Sequence, residues 1–414
     1  MRIGFIASRL SGTDGVSLEV EKWARVLESL GHRSYYCAGE LGGYARGGTL
    51  IPKLHFTDQS IQALSKRAFG ENAEPDGEKL ADEIYYMADE LRTPLRKFIR
   101  SNRLDLIIVQ NALTIPMNLP LGVCLTGLIA ELGINTIAHH HDFYWERQSY
   151  QANNIFDLLD TTFPAKLPSI QHITINTIAQ ERLQARRGIE SIVIPNVHDF
   201  ETPPPDLDDY SRDFRHTLGI AKEDLFVLQP TRIIQRKGIE LAIELISRLG
   251  MPAARLFITH RSDDEGLDHW HWLKREANVM GVNIQLIDHM IRTDRSTING
   301  HKIYSLWDAY PNADLVTYPS LYEGFGNALL EAVYFKRLLV VNRYPVYNAD
   351  IKPLGFQFIE LDGFVNAEIV EQTRALLEDP DRARAMADTN YQIATEHFSL
   401  DVLKTRLEEV LANF

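Results

Sequence analysis

The sequence predicts an α/β protein with two doubly wound parallel-sheet domains, and three observations support this architecture. The chain has 414 residues, which is too long for one typical core and suits two domains of about 200 residues each. A strand–helix–strand pattern opens at Arg2, and the same pattern restarts at Leu225. Between these halves, residues 202–209 contain three consecutive prolines followed by acids, which is typical of a solvated linker.

The first half alternates strands and helices in chain order. Residues 2–8 have the pattern of a buried strand, and a turn containing Gly15 leads into an amphipathic helix over 18–30. A strand over 33–38 completes this β-α-β unit, whereas residues 44–75 show little periodicity. The remaining elements predicted for this half are helices over 78–101, 119–132 and 174–188 and strands over 104–110, 134–139 and 191–194.

The second half repeats the alternation and ends in a helix. Its predicted elements are strands over 225–229, 255–259, 283–287 and 314–317 and helices over 239–249, 265–280 and 302–310. Residues 400–414 place five apolar side chains on one face of a helix. We therefore expect an N-terminal domain over 1–198, a linker over 199–212, a C-terminal domain over 213–395 and a terminal helical segment over 396–414.

The strand that ends at Tyr318 is followed by a glycine-rich turn and then a helix. Glu323 lies in the turn, Gly324 and Gly326 follow it, and Glu331 lies roughly one to two turns into the helix. Glycines let the backbone approach a ligand closely, and the free amides of a helix N-terminus favour an anion such as phosphate. Two carboxylates beside such amides suit a ligand with both hydroxyls and phosphates, such as a nucleotide sugar. The alternative is an ordinary helix N-terminus with acids favoured by the helix dipole.

Two cations occupy a similar strand-to-helix turn after the strand over 225–229. Arg232 and Lys237 lie five positions apart, just before Gly238 and the next helix. A guanidinium binds phosphate oxygens as a fork, while an ammonium acts as a point charge. The pair therefore suits a diphosphate leaving group, although solvated surface cations would have the same sequence.

The strand over 134–139 ends in a dense polar and aromatic run, His139–Arg147. As a metal site the run is poor, because successive strand residues alternate faces and only His139 and His141 share one. The histidines could be half-buried residues at a strand end. Alternatively, His141-Asp142 lies at the carboxyl end of a strand, where open α/β sheets bind their ligands, and a neutral imidazole can hydrogen-bond a sugar hydroxyl.

Composition excludes several classes of protein. The formal net charge of −13 argues against nucleic acid or an anionic membrane surface as the main partner. No run approaches the 18 or so apolar residues that span a bilayer, so we expect no stable membrane association. Cys37 and Cys124 form no paired motif, which predicts a reducing cytoplasm. The spacing Gly12-x-x-Gly15 lacks the Gly-x-Gly of a dinucleotide site, which argues against a dehydrogenase.

The segment from Glu323-Gly-Phe-Gly to Leu330-Glu-Ala resembles the Glu-x7-Glu signature of the family 4 retaining glycosyltransferases. The resemblance implies the GT-B fold, in which two Rossmann-like domains face a cleft and a C-terminal helix crosses back to the N-terminal domain. It implies that Glu323 binds donor-sugar hydroxyls and that Glu331 holds the ribose. The amides of the intervening turn would then serve the sugar and the phosphates; its residues are Gly324, Phe325, Gly326 and Asn327.

The resemblance extends to the other candidate residues. It implies that Arg232 and Lys237 clamp the donor pyrophosphate, and that Gly15 lies near the phosphates and the acceptor. The family has a histidine after the strand over 134–139 that contacts the donor sugar. His141-Asp142 fits that pattern best, with His140 as the alternative.

The reaction that the resemblance implies is retaining hexosyl transfer, with the donor on the C-terminal domain and a small acceptor on the N-terminal domain. No metal or other cofactor is expected, because Arg232 and Lys237 supply the positive charge. Residues 111–121 and 139–147 also resemble bacterial synthases that mannosylate glucosylglycerate, a compatible-solute pathway. GDP-mannose is therefore the first expected donor and UDP-glucose the second, with a sugar acid or short glycoside as acceptor. A nucleotide-sugar epimerase of the same fold, a lipid- or polysaccharide-directed transferase and a homo-oligomer stay open.

Overall fold

The protein is described from a computed structural model, which describes residues 1–12, 14–71, 73–251, 253–261 and 268–414. The chain divides into two compact units. Unit 1 comprises Met1–Asn196 and Asp401–Phe414, and unit 2 comprises Val197–Leu400.

Unit 1 is a parallel sheet with helices between its strands. Its strands are β1 (Arg2–Ala7), β2 (Arg33–Ala38), β3 (Thr49–Leu50), β4 (Leu106–Gln110), β5 (Asn135–His140), β6 (Ile170–Thr174) and β7 (Ser191–Val193). Its helices up to β7 are α1 (Gly15–Ser29), α2 (Gln59–Ala68), α3 (Gly77–Ser101), α4 (Leu119–Leu132), α5 (Phe156–Thr162) and α6 (Thr177–Arg187). The strand order is β3-β2-β1-β4-β5-β6-β7, and each neighbouring pair is parallel.

The core of unit 1 lies where α3 and α4 cover β4. Leu95 of α3 and Leu125 and Leu128 of α4 are fully buried, as are the apolar residues of β4. The helix α4 is apolar on most of its surface because it lies inside the unit. Asn118 caps its first turn by accepting a hydrogen bond from the amide of Leu121, and Gly133 ends it in the left-handed region.

Unit 2 repeats the architecture. Its strands are β8 (Leu225–Arg232), β9 (Ala254–His260), β10 (Asn283–Leu286), β11 (Ile291–Arg292), β12 (Ser296–Ile298), β13 (His301–Ser305), β14 (Leu315–Tyr318), β15 (Leu339–Asn342) and β16 (Ile359–Leu361). Its helices are α7 (Phe214–Thr217), α8 (Ile239–Leu249), α9 (Asp268–Val279), α10 (Leu306–Ala309), α11 (Asn327–Tyr334), α12 (Ala367–Glu378) and α13 (Pro380–Phe398). The main sheet is parallel, in the order β10-β9-β8-β14-β15-β16, and α8, α9 and α12 contribute to its core.

Two predicted helices are corrected by the structure. Residues 302–305 belong to β13, which pairs with β12 in an antiparallel hairpin, and the helix begins only at Leu306. The reason is the cap: the backbone amide and hydroxyl of Ser305 both donate to Asp308 Oδ2, which fixes the helix start. The segment predicted as a helix over 174–188 likewise contains the end of β6, because Asn176 caps α6 by accepting from the amide of Ala179.

The remaining differences are smaller. Residues 44–75 contain α2, whose first turn is capped by Asp58. The helix predicted over 265–280 is observed from Asp268, and residues 265–267 lie outside the described part of the chain. The last helix, α14 (Leu400–Leu411), buries Leu403, Leu407 and Val410 within unit 1. The predicted two-domain fold and the return of the C-terminal helix to the first domain are confirmed.

Candidate active site

In unit 2 the predicted residues gather where the strand order reverses, between β8 and β14. Ligands of open α/β sheets bind outside the carboxyl ends of the strands at such a point. Arg232 is the last residue of β8 and is exposed, and the loop after β14 carries Glu323. Burial lowers the pKa of His260, at the end of the adjacent strand, and the nearby positive charges of Arg232 and Lys237 lower it further. The edge of this sheet therefore holds a concentration of positive charge.

The turns after β8 and β14 touch each other closely. A 3₁₀ turn at Gln235–Lys237 is followed by Gly238, which has a φ of 60° and directly precedes α8. A Cβ atom at Gly238 would lie 2.3 Å from the carbonyl oxygen of Pro319. Glycine is needed here because the φ angle is positive and because a side chain would collide with Pro319. Without that side chain, Lys237 can lie beside the turn that follows β14.

The centre of the unit 2 site is a buried carboxylate held by two cations. The ammonium of Lys237 donates to Glu323 Oε1, and Arg236 Nη1 donates to Glu323 Oε2 at 3.0 Å and to the carbonyl of Tyr322 at 2.9 Å. Glu323 is 7% exposed and Lys237 is 9% exposed. Burial acts to raise the pKa of Glu323, but Lys237 and Arg236 outweigh burial and hold that pKa below its ordinary value. Glu323 is therefore an ionised acceptor group in an enclosed position.

The second acid lies in the helix that follows. Glu331 is the fifth residue of α11, and its Oε2 accepts a hydrogen bond from the hydroxyl of Tyr310 at 2.7 Å. The turn between the two acids is fixed by Tyr344, whose hydroxyl donates to the carbonyl of Phe325 at 2.6 Å. Gly326 has a φ of 131°, and a Cβ atom there would lie 2.5 Å from that hydroxyl.

The residues of this turn differ in their surroundings. The ring of Phe325 is buried and packs on Phe398 at a centroid distance of 5.3 Å, so its side chain belongs to the core. Gly326 precedes α11, and Asn327 is the first residue of that helix. The backbone amides that open α11 are therefore the part of the turn suited to an anion.

In unit 1 the corresponding reversal lies between β1 and β4, and β5 neighbours β4. The ring of His141 follows β5, and its Nε2 lies 3.0 Å from Gln110 Oε1. Its backbone amide donates to Asn111 Oδ1 at 2.9 Å, and Asn111 Nδ2 donates to Asp142 Oδ1 at 3.1 Å. Asp142 Oδ2 also accepts from Arg147 Nε at 2.8 Å. Burial lowers the pKa of His141 to about 4, so its imidazole is neutral at physiological pH.

The two preceding histidines lie deeper in the unit. His140 is fully buried, and its Nε2 lies 2.9 Å from Nδ1 of His172, while its Nδ1 contacts the hydroxyl of Thr114. His139 stacks on Trp23 with a centroid distance of 4.3 Å. Burial lowers the pKa of both rings well below the ordinary value. In the described residues, no group of three or more His, Cys, Asp or Glu side chains is arranged to hold a metal ion.

Gly15 is the first residue of α1, next to an acid that organises the turn. Asp14 Oδ1 accepts from the backbone amides of Val16 at 3.1 Å and Ser17 at 3.2 Å, which caps the helix. Asp14 Oδ2 also pairs with Arg9 at 3.2 Å. The negative charge of Asp14 acts to raise the pKa of His141, so the start of α1 and the end of β5 adjoin one another.

The structure thus joins several predicted residues and adds others. It brings Lys237 and Glu323 into direct contact, with Arg232 close by, and it places His141 and Asp142 side by side. The residues that sequence reasoning missed are Arg236, Gln110, Asn111 and Asp14. Arg236 was signalled only by its position before Lys237, and the other three only by being polar residues at the end of a strand or the start of a helix.

Two curated relatives are similar over most of the chain. A mannosylglucosylglycerate synthase of Petrotoga mobilis is 35% identical over 381 residues, which cover 87% of this chain and 86% of the relative. A mannosylglucosylglycerate synthase of Thermotoga maritima is 33% identical and covers 100% of this chain and 99% of the relative. No family model matches the chain.

Solved structures share the fold at low sequence identity. A glycosyltransferase of Rickettsia africae superposes with a TM-score of 0.67 at 14% identity, covering 99% of this chain and 97% of that structure. Anabaena HepE in complex with UDP and glucose superposes with a TM-score of 0.65 at 16% identity, covering 100% of both chains. These neighbours have the GT-B fold. Among the described residues, no helix has the length and apolar character needed to cross a membrane.

Proposed function

Since the chain belongs to the mannosylglucosylglycerate synthase family of GT-B glycosyltransferases, we propose that it transfers a mannosyl group from GDP-mannose to glucosylglycerate with retention of anomeric configuration. The observation that carries the proposal is the buried Glu323 carboxylate, held by Lys237 and Arg236 at the carboxyl edge of the unit 2 sheet. At this edge of the sheet, the carboxylate can accept hydrogen bonds from sugar hydroxyls, and the cations can bind phosphates.

Unit 2 binds the donor in this proposal. Arg236 and Lys237 together supply two positive charges against the charge of Glu323, and the charge of Arg232 acts on the same lysine, so this edge suits a diphosphate. The amides that open α11 add further donors for phosphate, and Glu331 accepts from the ribose hydroxyls. Because fixed cations neutralise the departing nucleoside diphosphate, the reaction needs no divalent metal.

Unit 1 binds the acceptor, and its polar strand ends orient hydroxyl groups. His141, neutral because of burial, exchanges hydrogen bonds with a sugar hydroxyl, and Asp142 stays fixed by Asn111 and Arg147. In the proposed step the acceptor hydroxyl oxygen bonds to the anomeric carbon while the bond from that carbon to the phosphate oxygen breaks. The hydroxyl proton passes to the leaving phosphate on the same face of the sugar, so no protein nucleophile is required.

Product analysis tests the proposal directly. The purified protein is incubated with glucosylglycerate and either GDP-mannose or UDP-glucose, which a solved structure of HepE contains, and the products are identified by NMR. We expect transfer from GDP-mannose and a product with the anomeric configuration of the donor. An inverted product would refute retention but not glycosyl transfer, whereas conversion of donor alone would indicate an epimerase.

Two further measurements separate binding from turnover. Thermal shift with GDP, UDP and ADP should show the largest stabilisation with GDP, because a ligand of the folded state raises its stability. Lys237→Ala and Glu323→Ala should each lower transfer strongly. If both variants kept near-normal transfer with every donor, or if no nucleotide shifted the melting temperature, the proposal would be wrong.

A further inference from the structure

Two amide side chains at the end of β4 hold the His141-Asp142 pair from the neighbouring strand. Gln110 is 2% exposed, and its Oε1 lies 3.0 Å from His141 Nε2. Asn111 Oδ1 accepts from the amide of His141 at 2.9 Å, and Asn111 Nδ2 donates to Asp142 at 3.1 Å. Each polar atom that orients the pair from this side therefore comes from the dipeptide Gln110-Asn111.

The contact with Gln110 determines which ring nitrogen of His141 carries the proton. A carboxamide oxygen only accepts hydrogen bonds, so His141 Nε2 must donate and must be protonated. A neutral imidazole has a single proton, which leaves Nδ1 as a lone-pair acceptor. Within the described chain, Nδ1 makes no hydrogen bond, and His141 keeps 8% exposure where His139 keeps 1% and His140 none. The ring nitrogen that has no hydrogen-bond partner within the described chain is thus an acceptor.

Asn111 fixes the position of His141 and Asp142 by adopting an uncommon backbone conformation. Its φ is 57°, in the left-handed region that asparagine tolerates better than most residues with a side chain. This conformation lets its backbone amide donate to the carbonyl of His139 at 3.0 Å while its side chain spans His141 and Asp142. The strain of such a backbone conformation is offset by the three hydrogen bonds that Asn111 makes to His139, His141 and Asp142.

We propose that Gln110 is a positioning residue that holds His141 in the Nε2-protonated tautomer, so that Nδ1 accepts a hydrogen bond from a hydroxyl of the bound sugar. Asn111 holds the backbone that carries the ring. The inference rests on the proposed function, which gives His141 a sugar to contact. It specifies that His141 recognises a hydroxyl proton and not an oxygen lone pair.

The other titratable groups around His141 are two histidines and two acids. His139 and His140 end β5 just before it, Asp142 follows it, and Asp14 lies nearby, next to the start of α1. Asp142 is paired with Arg147, and Asp14 caps α1 and pairs with Arg9. Gln110 is thus the neutral group that contacts the ring through a side-chain hydrogen bond.

The test uses two substitutions at Gln110 and one matched control. Gln110→Met keeps the length of the side chain but removes the acceptor, and we expect kcat to fall about tenfold, the effect of losing roughly 1.4 kcal/mol of orientation. Gln110→Glu keeps the acceptor but adds charge, so it should retain activity at high pH while the acid limb of the pH–rate profile moves up by about one to three units. Gln171→Met, the same change on β6, should leave kcat within twofold, because the side-chain amide of Gln171 hydrogen-bonds Val410 and Asn413 near the end of the chain.

A spectroscopic readout separates this inference from the proposed function. In protein labelled with ¹⁵N-histidine, the His141 resonances, assigned by their loss in His141→Gln, should show a protonated Nε2 in the native chain and a changed tautomer ratio in Gln110→Met. A protonated Nδ1 in the native protein would overturn the inference, as would unchanged kcat and tautomer in Gln110→Met. If the native chain transferred no hexose from any nucleotide sugar, the proposed function would fail, and the tautomer would still be measured.

Discussion

Acid should destabilise unit 1 steeply, because that unit buries four histidines in neutral form. The pKa of His141 and that of His172 are each lowered by burial to about 4, against about 6.5 in an unfolded chain. Below pH 6.5 the unfolded chain therefore binds protons that the folded chain does not. The stability that these neutral histidines contribute is fully present above their pKa in the unfolded chain. It is lost as the pH falls through 6.5 toward their pKa in the folded chain.

The magnitude follows from the pKa differences of these two histidines between the folded and the unfolded chain. Between pH 8 and pH 5, each of these two histidines should lower the free energy of unfolding of unit 1 by about 2 kcal/mol. The pair should therefore lower it by about 4 kcal/mol. His139 and His140, whose pKa values are lowered well below the ordinary value by burial, act in the same direction. Such a loss is a large part of the roughly 5–15 kcal/mol that stabilises a typical domain.

The assay uses the two cysteines of the chain as reporters. Cys37 and Cys124 are both buried in unit 1, so their labelling during urea unfolding reports that unit alone. Dithiodipyridine, which reacts with thiols at acid pH, allows midpoints to be compared between pH 5 and pH 8. His139→Leu should reduce the slope of stability against pH by about 1.4 kcal/mol per unit near pH 5, because one titrating group is removed. An unchanged urea midpoint between pH 8 and pH 5 would refute the reasoning, as would an equal change of slope in the control Gln171→Leu.

Four further predictions concern the two sites. Lys237→Met should weaken binding of a nucleoside diphosphate about 10- to 100-fold by calorimetry, since a hydrogen bond to a charged group is worth roughly 1.5–3 kcal/mol; unchanged affinity would contradict its role. Glu323→Gln keeps the shape but loses the charge, so it should lower kcat for transfer more than it lowers binding of the free nucleotide, and equal losses would argue against a contact with the sugar. Gly326→Ala should lower the melting temperature, because its Cβ would meet the Tyr344 hydroxyl at 2.5 Å, whereas Gly355→Ala provides a control with a positive φ and open space. Asp14→Ala removes the cap of α1 and should cost about 1 kcal/mol in urea unfolding, with Asp14→Asn retaining most of it.

The fold could be predicted because local and tertiary preferences agree over most of the chain. The helices over 119–132 and 239–249 are observed with the predicted bounds, since apolar periodicity and end signals coincide there. The prediction was wrong over 302–305 because Ile303 and Tyr304 satisfy either pattern. Their strand is decided by pairing with β12 across the Asn299-Gly300 turn, a tertiary contact that helical periodicity does not contain.

The candidate site could be predicted only in part, for a related reason. Motif spacing identified Lys237 and Glu323 separately, but their ion pair depends on Gly238 letting two turns approach, which no spacing reveals. Gln110 and Asn111 were not predicted because amides carry no charge signature and occur widely on surfaces. The left-handed backbone of Asn111 is a property of the packed loop and leaves no trace in its neighbours in the sequence.

The charges at the two sheet edges support the proposed assignment of the donor to unit 2 and of the acceptor to unit 1. In unit 1 the cations near the strand ends are each matched by an acid, Arg9 by Asp14 and Arg147 by Asp142, and His141 is neutral. In unit 2, Arg236 and Lys237 both pair with the carboxylate of Glu323, and the charge of Arg232 acts on Lys237. A diphosphate gains free energy where positive charge is in excess, whereas a neutral sugar needs oriented donors and acceptors without excess charge. This contrast favours unit 2 for the nucleotide and unit 1 for the hydroxyl-rich acceptor. It arises from side chains at the strand ends, which can differ between two domains that share a Rossmann-like fold.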